Sequence, residues 1–154
     1  VATPYLLHKE FRMEIHPYVI FDGHAEEAIT FYRQAIGAEV LMQMRYRDAP
    51  AGNDYPSGAD MADKIMHARL KIGTTELMLS DGMAGDDAGA TPSKRFHLSL
   101  TVADRAAGER CFQALAQGGQ VTMPFQPTFW SEGFGMAIDP FGVCWMVNVD
   151  HPAA

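Results

Sequence analysis

The sequence predicts an α+β fold made from one β-α-β-β-β unit written twice. Three observations predict it. Two apolar stretches headed by His and ended by Asp, HPYVIFD at 16–22 and HLSLTVAD at 97–104, recur with their aspartates 82 positions apart. Each Asp is followed 15 residues later by a Gly, Gly37 or Gly119, across a segment without Pro. Each such segment is followed by a strand-like run and then a hairpin pattern. One unit alone leaves the side of a short sheet unburied, so two units pair. The expected result is a pseudo-twofold arrangement with a concave cleft where the two sheets face one another.

Taken in order, the first strand at 15–20 places His16 and Tyr18 on one side and Ile15 and Val19 on the other. Ala25, Ala28, Ile29, Tyr32 and Ile36 then recur at helical spacing, with Glu26 and Glu27 in the first turn, where the helix dipole favours negative charge. Gly37 is the expected helix stop. The run AEVLMQMRYR reads as the next strand, and IMHARLKIGTTELMLSD as a hairpin turning at Gly73-Thr74-Thr75. In the second unit, Ala107, Cys111, Ala114 and Leu115 form a shorter helical stripe ending at Gly119. QVTMPF is a strand, and GFGMAIDPFGVCWMVNV a hairpin turning at Asp139-Pro140-Phe141-Gly142. The units therefore span 14–81 and 95–149 of a single structural domain. Residues 82–94, rich in Gly, Ala and Asp, are a linker, and residues 1–12 read as an extension ahead of Met13. Residues 48–64 form a long polar loop able to act as a lid.

Composition narrows the function. The net charge is −7 and no basic stripe occurs, which argues against nucleic acid and anionic membrane surfaces as partners. Two cysteines outside any CxxC pair, with ten methionines, fit the reducing cytoplasm. No apolar run reaches the roughly 18 residues that a membrane span requires.

Strand alternation sorts the side chains. Ala68, Leu70, Leu77, Leu79, Leu98, Leu100, Val102, Val143, Trp145, Val147 and Val149 belong to the core, together with Met66 and Ile72. Opposite them stand His67, Arg69, Lys71, Glu76, Met78, Ser80, His97, Ser99, Thr101, Cys144, Met146 and Asn148. Thioethers and Tyr18 among these polar groups favour a cleft over a merely wetted surface. Phe129, Trp130, Phe134 and Phe141 cluster at the second hairpin as an aromatic wall for a planar or apolar ligand. The expected ligand-binding set is Tyr18, Arg69, Met78, Ser99, Phe129, Trp130, Phe134, Phe141, Met146 and Asn148. His67 and His97 are the candidate general bases, because imidazole titrates near neutrality. Asp81 and Asp139 are expected in turn-forming roles, and His24 and His151 in solvent.

These residues resemble a known family. The twofold β-α-β-β-β unit, with HLSLTVAD opening its second copy and DPFGVCWMVN closing it, resembles the vicinal oxygen chelate superfamily of glyoxalase, bleomycin resistance proteins and dioxygenases. PYVIFDGHAEEAITFYRQAIGAEV, HARLKIGTTELMLSD and FWSEGFGMAIDPFGVCWMVN are similar to the PhnB-like branch, often labelled 3-demethylubiquinone-9 3-methyltransferase-like. The likeness covers about residues 14–149.

The resemblance implies that the two units pair into a half-barrel, completed by strand exchange in a homodimer. It also implies a divalent metal in active members, held by residues of the first and last strand of each unit. Those positions are His16, His97, Met78 and Met146, with Met146 where a Glu is expected. Two imidazoles and two thioethers suit hard divalent ions poorly. Zinc on His16 and His97 with His67 or Glu76 is the remaining metal arrangement. The expectation is a cytoplasmic small-molecule binding protein with a metal-free pocket and no cofactor. The alternative is a lyase, isomerase or transferase on a vicinal-oxygen substrate. The methyltransferase label lacks its usual sequence support, because the turn FDGHAEE has no Gly-rich strand-to-helix loop.

Overall fold

The computed structural model describes residues 14–50, 60–82 and 96–150. The extension at 1–12, most of the linker, residues 51–59 of the polar loop and His151 lie outside the described residues. The first unit runs β1 (Tyr18–Phe21), α1 (Ala25–Ile36), β2 (Glu39–Arg45), a single 3-10 turn at Tyr46–Asp48, β3 (Ile65–Ile72) and β4 (Thr75–Asp81). The second runs β5 (Leu98–Val102), α2 (Arg105–Ala116), β6 (Gln120–Gln126), β7 (Phe134–Ile138) and β8 (Cys144–Val149). Each unit folds into its own four-stranded mixed sheet, ordered β1-β4-β3-β2 and β5-β8-β7-β6. In both, the first strand lies parallel to the last and every other pairing is antiparallel.

The helices cover one face of each sheet. On α1 the buried stripe is Ala25, Ala28, Ile29 and Tyr32, as the spacing predicts, and the helix closes on Gly37 at φ 68°. This left-handed position suits Gly, and its N–H reaches back into the last turn. On α2 the expected stripe is rotated: Gly108, Phe112 and Leu115 are buried, whereas Cys111 is only half-buried. The reason is close approach. A Cβ on Gly108 would stand 2.9 Å from both Phe125 and Val149, so the helix axis comes down on its smallest residue. This helix also ends earlier than expected, at Ala116 with Gln117 as its cap rather than at Gly119.

The units are joined through a buried polar hub. Asp139 is 2% exposed and accepts the Tyr32 hydroxyl at 2.7 Å, the Trp145 indole N–H at 2.9 Å, and the backbone N–H groups of Phe141 and Val143. Its turn-forming role is therefore half of what it does; the other half ties α1 of the first unit to β8 of the second. Burial first, and the Asp139 charge second, push the Tyr32 phenol far up from its ordinary range. Phe141 belongs to the same junction. It packs on Phe21 and Phe31 with ring centroids 5.9 and 5.6 Å apart, so it is a core residue between units and does not join the aromatic wall.

Asp81 is likewise more than a turn residue. It is buried and accepts N–H groups from Ala25 and Ile65, so one carboxylate fixes the start of α1 against the start of β3. Its counterpart at the other helix is local: Asp104 caps α2 by accepting from Ala107 N–H.

Candidate functional site

The sheet faces turned away from the helices carry the candidate groups. Strand register aligns them in rows. Across the first sheet Tyr18 pairs with Met78, Met78 with Arg69, and Arg69 with Met42. Across the second, Ser99 pairs with Met146, Met146 with Met136, and Met136 with Met123. The rows correspond place by place, so Met78 matches Met146. His16 and His97, each two residues before a row's first member, match without a gap. The extra residue of the second stretch is Ala103, which lies beyond β5.

Neither histidine lies on its strand, because β1 begins at Tyr18 and β5 at Leu98. His16 pairs with Glu14 at 3.1 Å in an exposed segment. His97 stands at a cavity of about 240 Å³ between units, lined also by Glu76, Leu77, Ser99 and Trp145. The zinc arrangement is not assembled: among the described residues no group of three His, Cys, Asp or Glu side chains is placed to hold a metal ion. His67 and Glu76, its expected third donors, are engaged elsewhere. The donor set at the centre of each sheet is a thioether, and thioethers are poor ligands for Mg²⁺, Mn²⁺ or Ni²⁺.

The first sheet's open face is organised by two side-chain pairs. Tyr18 reaches across β4 so that its hydroxyl lies 3.1 Å from Nδ1 of His67, with the two rings stacked at 5.6 Å and 21°. Beside them Arg69 grips Glu76 through Nε and Nη2, at 2.9 and 2.7 Å. The Arg69 side chain remains 42% exposed. Ser80 is on the same face by alternation, yet it is only 7% exposed, since it lies in the strand that the Tyr18–His67 bridge crosses.

On the second sheet, Met146 and Asn148 are half-buried and Ser99 is exposed. The aromatic wall forms at one end: Phe129 meets Trp130 edge-on at 4.8 Å, and Trp130 meets Phe134 at 5.4 Å. Phe129 is 94% exposed and Trp130 47%, a large apolar surface to leave in water. Cys144 is on this face by alternation and is buried. Met42, Met123 and Met136 complete the rows. Alternation along β2, β6 and β7 would have found them; the irregular registers of β2 and β6 obscure that alternation.

A larger recess of about 470 Å³ lies on the helix side, lined by Gly23, Glu26, Glu27, Asp63, Lys64 and Asp81. It holds no residue of the expected site. Arg45 binds the carboxylate of Glu26 and Arg47 that of Asp63, while Lys64 reaches the Gly23 carbonyl. The hydrogen bond from Arg45 holds the Glu26 carboxyl below its ordinary range.

Two β-α-β-β-β units, each with a parallel first and last strand and an uncovered sheet face, define a paired-unit α+β scaffold. The chain belongs to the glyoxalase/bleomycin resistance protein/dioxygenase superfamily, whose family model matches residues 14–147. Protein YjdN of Escherichia coli K12 is 36% identical over 143 residues, covering 89% of this chain and 95% of that one. The crystal structure of protein PA1353 from Pseudomonas aeruginosa is similar with 41% identity and a TM-score of 0.76, covering 91% and 99% of the two chains. A PhnB protein from Bacillus cereus, named as a candidate 3-demethylubiquinone-9 3-methyltransferase, shows 26% identity and a TM-score of 0.71 over 89% and 99%.

Proposed function

We propose that this chain is a cytoplasmic small-molecule binding protein of the bleomycin-resistance type. Its ligand lies on the open faces of the sheets, and no hard divalent ion takes part. One observation carries the reading: the central positions of the two rows hold Met78 and Met146, where a carboxylate would be needed to complete a site with His16 or His97. Thioethers serve instead as an adaptable apolar floor, favourable to aromatic rings. The candidate binding groups are Tyr18, Arg69, Ser99, Asn148 and the Phe129–Trp130–Phe134 wall.

A homodimer is part of this proposal. Tyr18, Ile20, Val121, Met123 and Trp130 are each 40% or more exposed, which is the surface a second copy would cover. Light scattering at working concentration should return twice the chain mass, and a strict monomer would refute this part.

Metal titration tests the central claim. Purified protein should take up no stoichiometric Zn²⁺, Ni²⁺ or Mn²⁺, whereas Met146→Glu should gain affinity for Ni²⁺ or Mn²⁺. Tight metal binding by the native chain that His97→Ala abolishes would overturn the reading. A rise in melting temperature with a planar aromatic compound would support it, since a ligand of the folded state stabilises that state.

A second reading is an enzyme, a lyase, isomerase or transferase, including the methyltransferase activity named for the Bacillus cereus relative. The Tyr18–His67 pair favours it by supplying an acid–base couple without metal. Turnover that survives chelation and is lost in His67→Gln would select this reading.

A further inference from the structure

We infer that Arg69 and the Tyr18-held His67 form a subsite for the carboxylate of an organic anion on the open face of the first sheet. This rests on the reading that the face takes a ligand, and it adds the ligand's chemistry. The Tyr18 hydroxyl lies 3.1 Å from Nδ1, and the subsite takes the tautomer in which the hydroxyl donates and Nδ1 accepts. A neutral imidazole that accepts at Nδ1 carries its proton on Nε2. His67 is thereby fixed as an N–H donor, its ring orientation set by the stacking on Tyr18.

Arg69 is two residues along β3, on the same face, about 7 Å away by strand geometry. Glu76 takes its Nε and Nη2, leaving the Nη1 protons without a bond to Glu76. The clamp holds the guanidinium plane still, and a fixed, partly exposed fork suits a carboxylate better than a mobile Lys would. Met78 and Met42, Arg69's partners on the two neighbouring strands, supply an apolar floor for the rest of the ligand. The other charges near this row are Lys71 and Glu39. Lys71 stands opposite Glu76 and Glu39 in the register, so the local balance outside the Arg69–Glu76 pair is neutral.

Benzoate and benzamide, equal in shape and different in charge, are the probes, followed by NMR of the Arg69 Nε–H and the His67 ring in the full chain. Benzoate should shift both signals and bind at least tenfold more tightly than benzamide. Arg69→Gln should remove that preference. His67→Leu should weaken benzoate several-fold, whereas His67→Gln, which keeps an N–H donor, should retain most of the affinity. Glu76→Gln removes the competing charge while its amide oxygen still accepts from the Arg69 guanidinium, so it should strengthen benzoate binding several-fold; it keeps the test decisive if Arg69→Gln fails to fold. Equal binding of both probes, or an unchanged affinity in Glu76→Gln, would overturn the subsite. Shifts confined to the second sheet, around Asn148, would overturn it while leaving the binding-protein reading intact. No shift on either open face at saturating probe would count against both.

Discussion

The two sheets share a strand order and differ in chemistry. The strands of the second sheet contain no charged residue, whereas those of the first carry Glu39, Arg45, Arg69, Lys71, Glu76 and Asp81. On the open faces this sets Arg69–Glu76 and Tyr18–His67 against a row of Ser99 and three methionines. The cores differ as well. By register Leu70 of β3 answers to Ala137 of β7, and both are buried. In the second unit Phe112 and Phe125 stack over Gly135. A repeated backbone therefore holds residues of different size at matching places, and it leaves each face able to specialise. The first is equipped for polar recognition and the second for apolar contact.

The largest expected effect comes from the hub that holds the unlike units together. Asp139→Ala strands two side-chain and two backbone donors, each worth about 1–3 kcal/mol when buried without a partner. A loss on the order of 3–5 kcal/mol in urea unfolding is expected. If the units depend on this junction, the single transition should also split in two.

Gly135→Ala probes the core of the second unit next. Its Cβ would stand 2.7 Å from Phe112 and 3.0 Å from the Phe125 backbone, so a cost of about 1–3 kcal/mol is expected. The comparison sharpens if adding Phe112→Leu recovers part of that loss, as shared volume requires.

Tyr32→Phe removes one hydrogen bond to a charged group and should cost about 1–2 kcal/mol at neutral pH. Its pH signature is more specific. Burial, and then the Asp139 charge, raise the folded-state pKa of Tyr32 above the unfolded value near 10. Its contribution is full below that value and is lost as pH rises, because only the unfolded phenol ionises. Native protein should therefore lose about 1.4 kcal/mol per pH unit from this group above roughly pH 10, and Tyr32→Phe should lack that component. Burial also raises the Cys111 thiol, but that contribution is common to both proteins and cancels in the difference.

Arg45→Gln should have the smallest effect, a few tenths of a kcal/mol, because the Glu26 side chain it pairs with is 59% exposed. The Arg45 hydrogen bond lowers the folded-state pKa of Glu26, so the contribution is present above the ordinary Glu value and is lost as pH falls through the folded one. Native and variant stabilities should converge in acid and in high salt.

The repeat, its element order and most core positions were legible because period-2 and period-3.6 patterns are local properties of the chain. Ala25, Ala28, Ile29 and Tyr32 are buried as their spacing implies. The α2 stripe was not legible, since Gly108 is buried by the approach of Phe125 and Val149 from other elements. Phe141 looked like a wall residue because it neighbours a turn; its partners Phe21 and Phe31 are more than 100 positions away. The site divides the same way. Alternation placed Met78, Met146, Arg69 and His67 on open faces, but the bond between Tyr18 and His67 depends on β1 pairing with β4 rather than with a sequence neighbour. The double role of Asp139 was hidden for the same reason.

The absence of charge from the second sheet has a consequence for how the protein survives in a crowded solution. Its edge strand β6, QVTMPFQ, is exposed along nearly its whole length and has no Lys or Glu to repel another strand. Pro124 is the interruption: it offers no N–H, so a foreign strand cannot zip along this edge without a gap. Replacing it by Thr would leave seven uncharged residues in a row, four of them β-branched or aromatic, the composition of a fibril seed. One proline thus does for edge β6 what Glu39 and Arg45 do for β2, the matching edge of the other sheet.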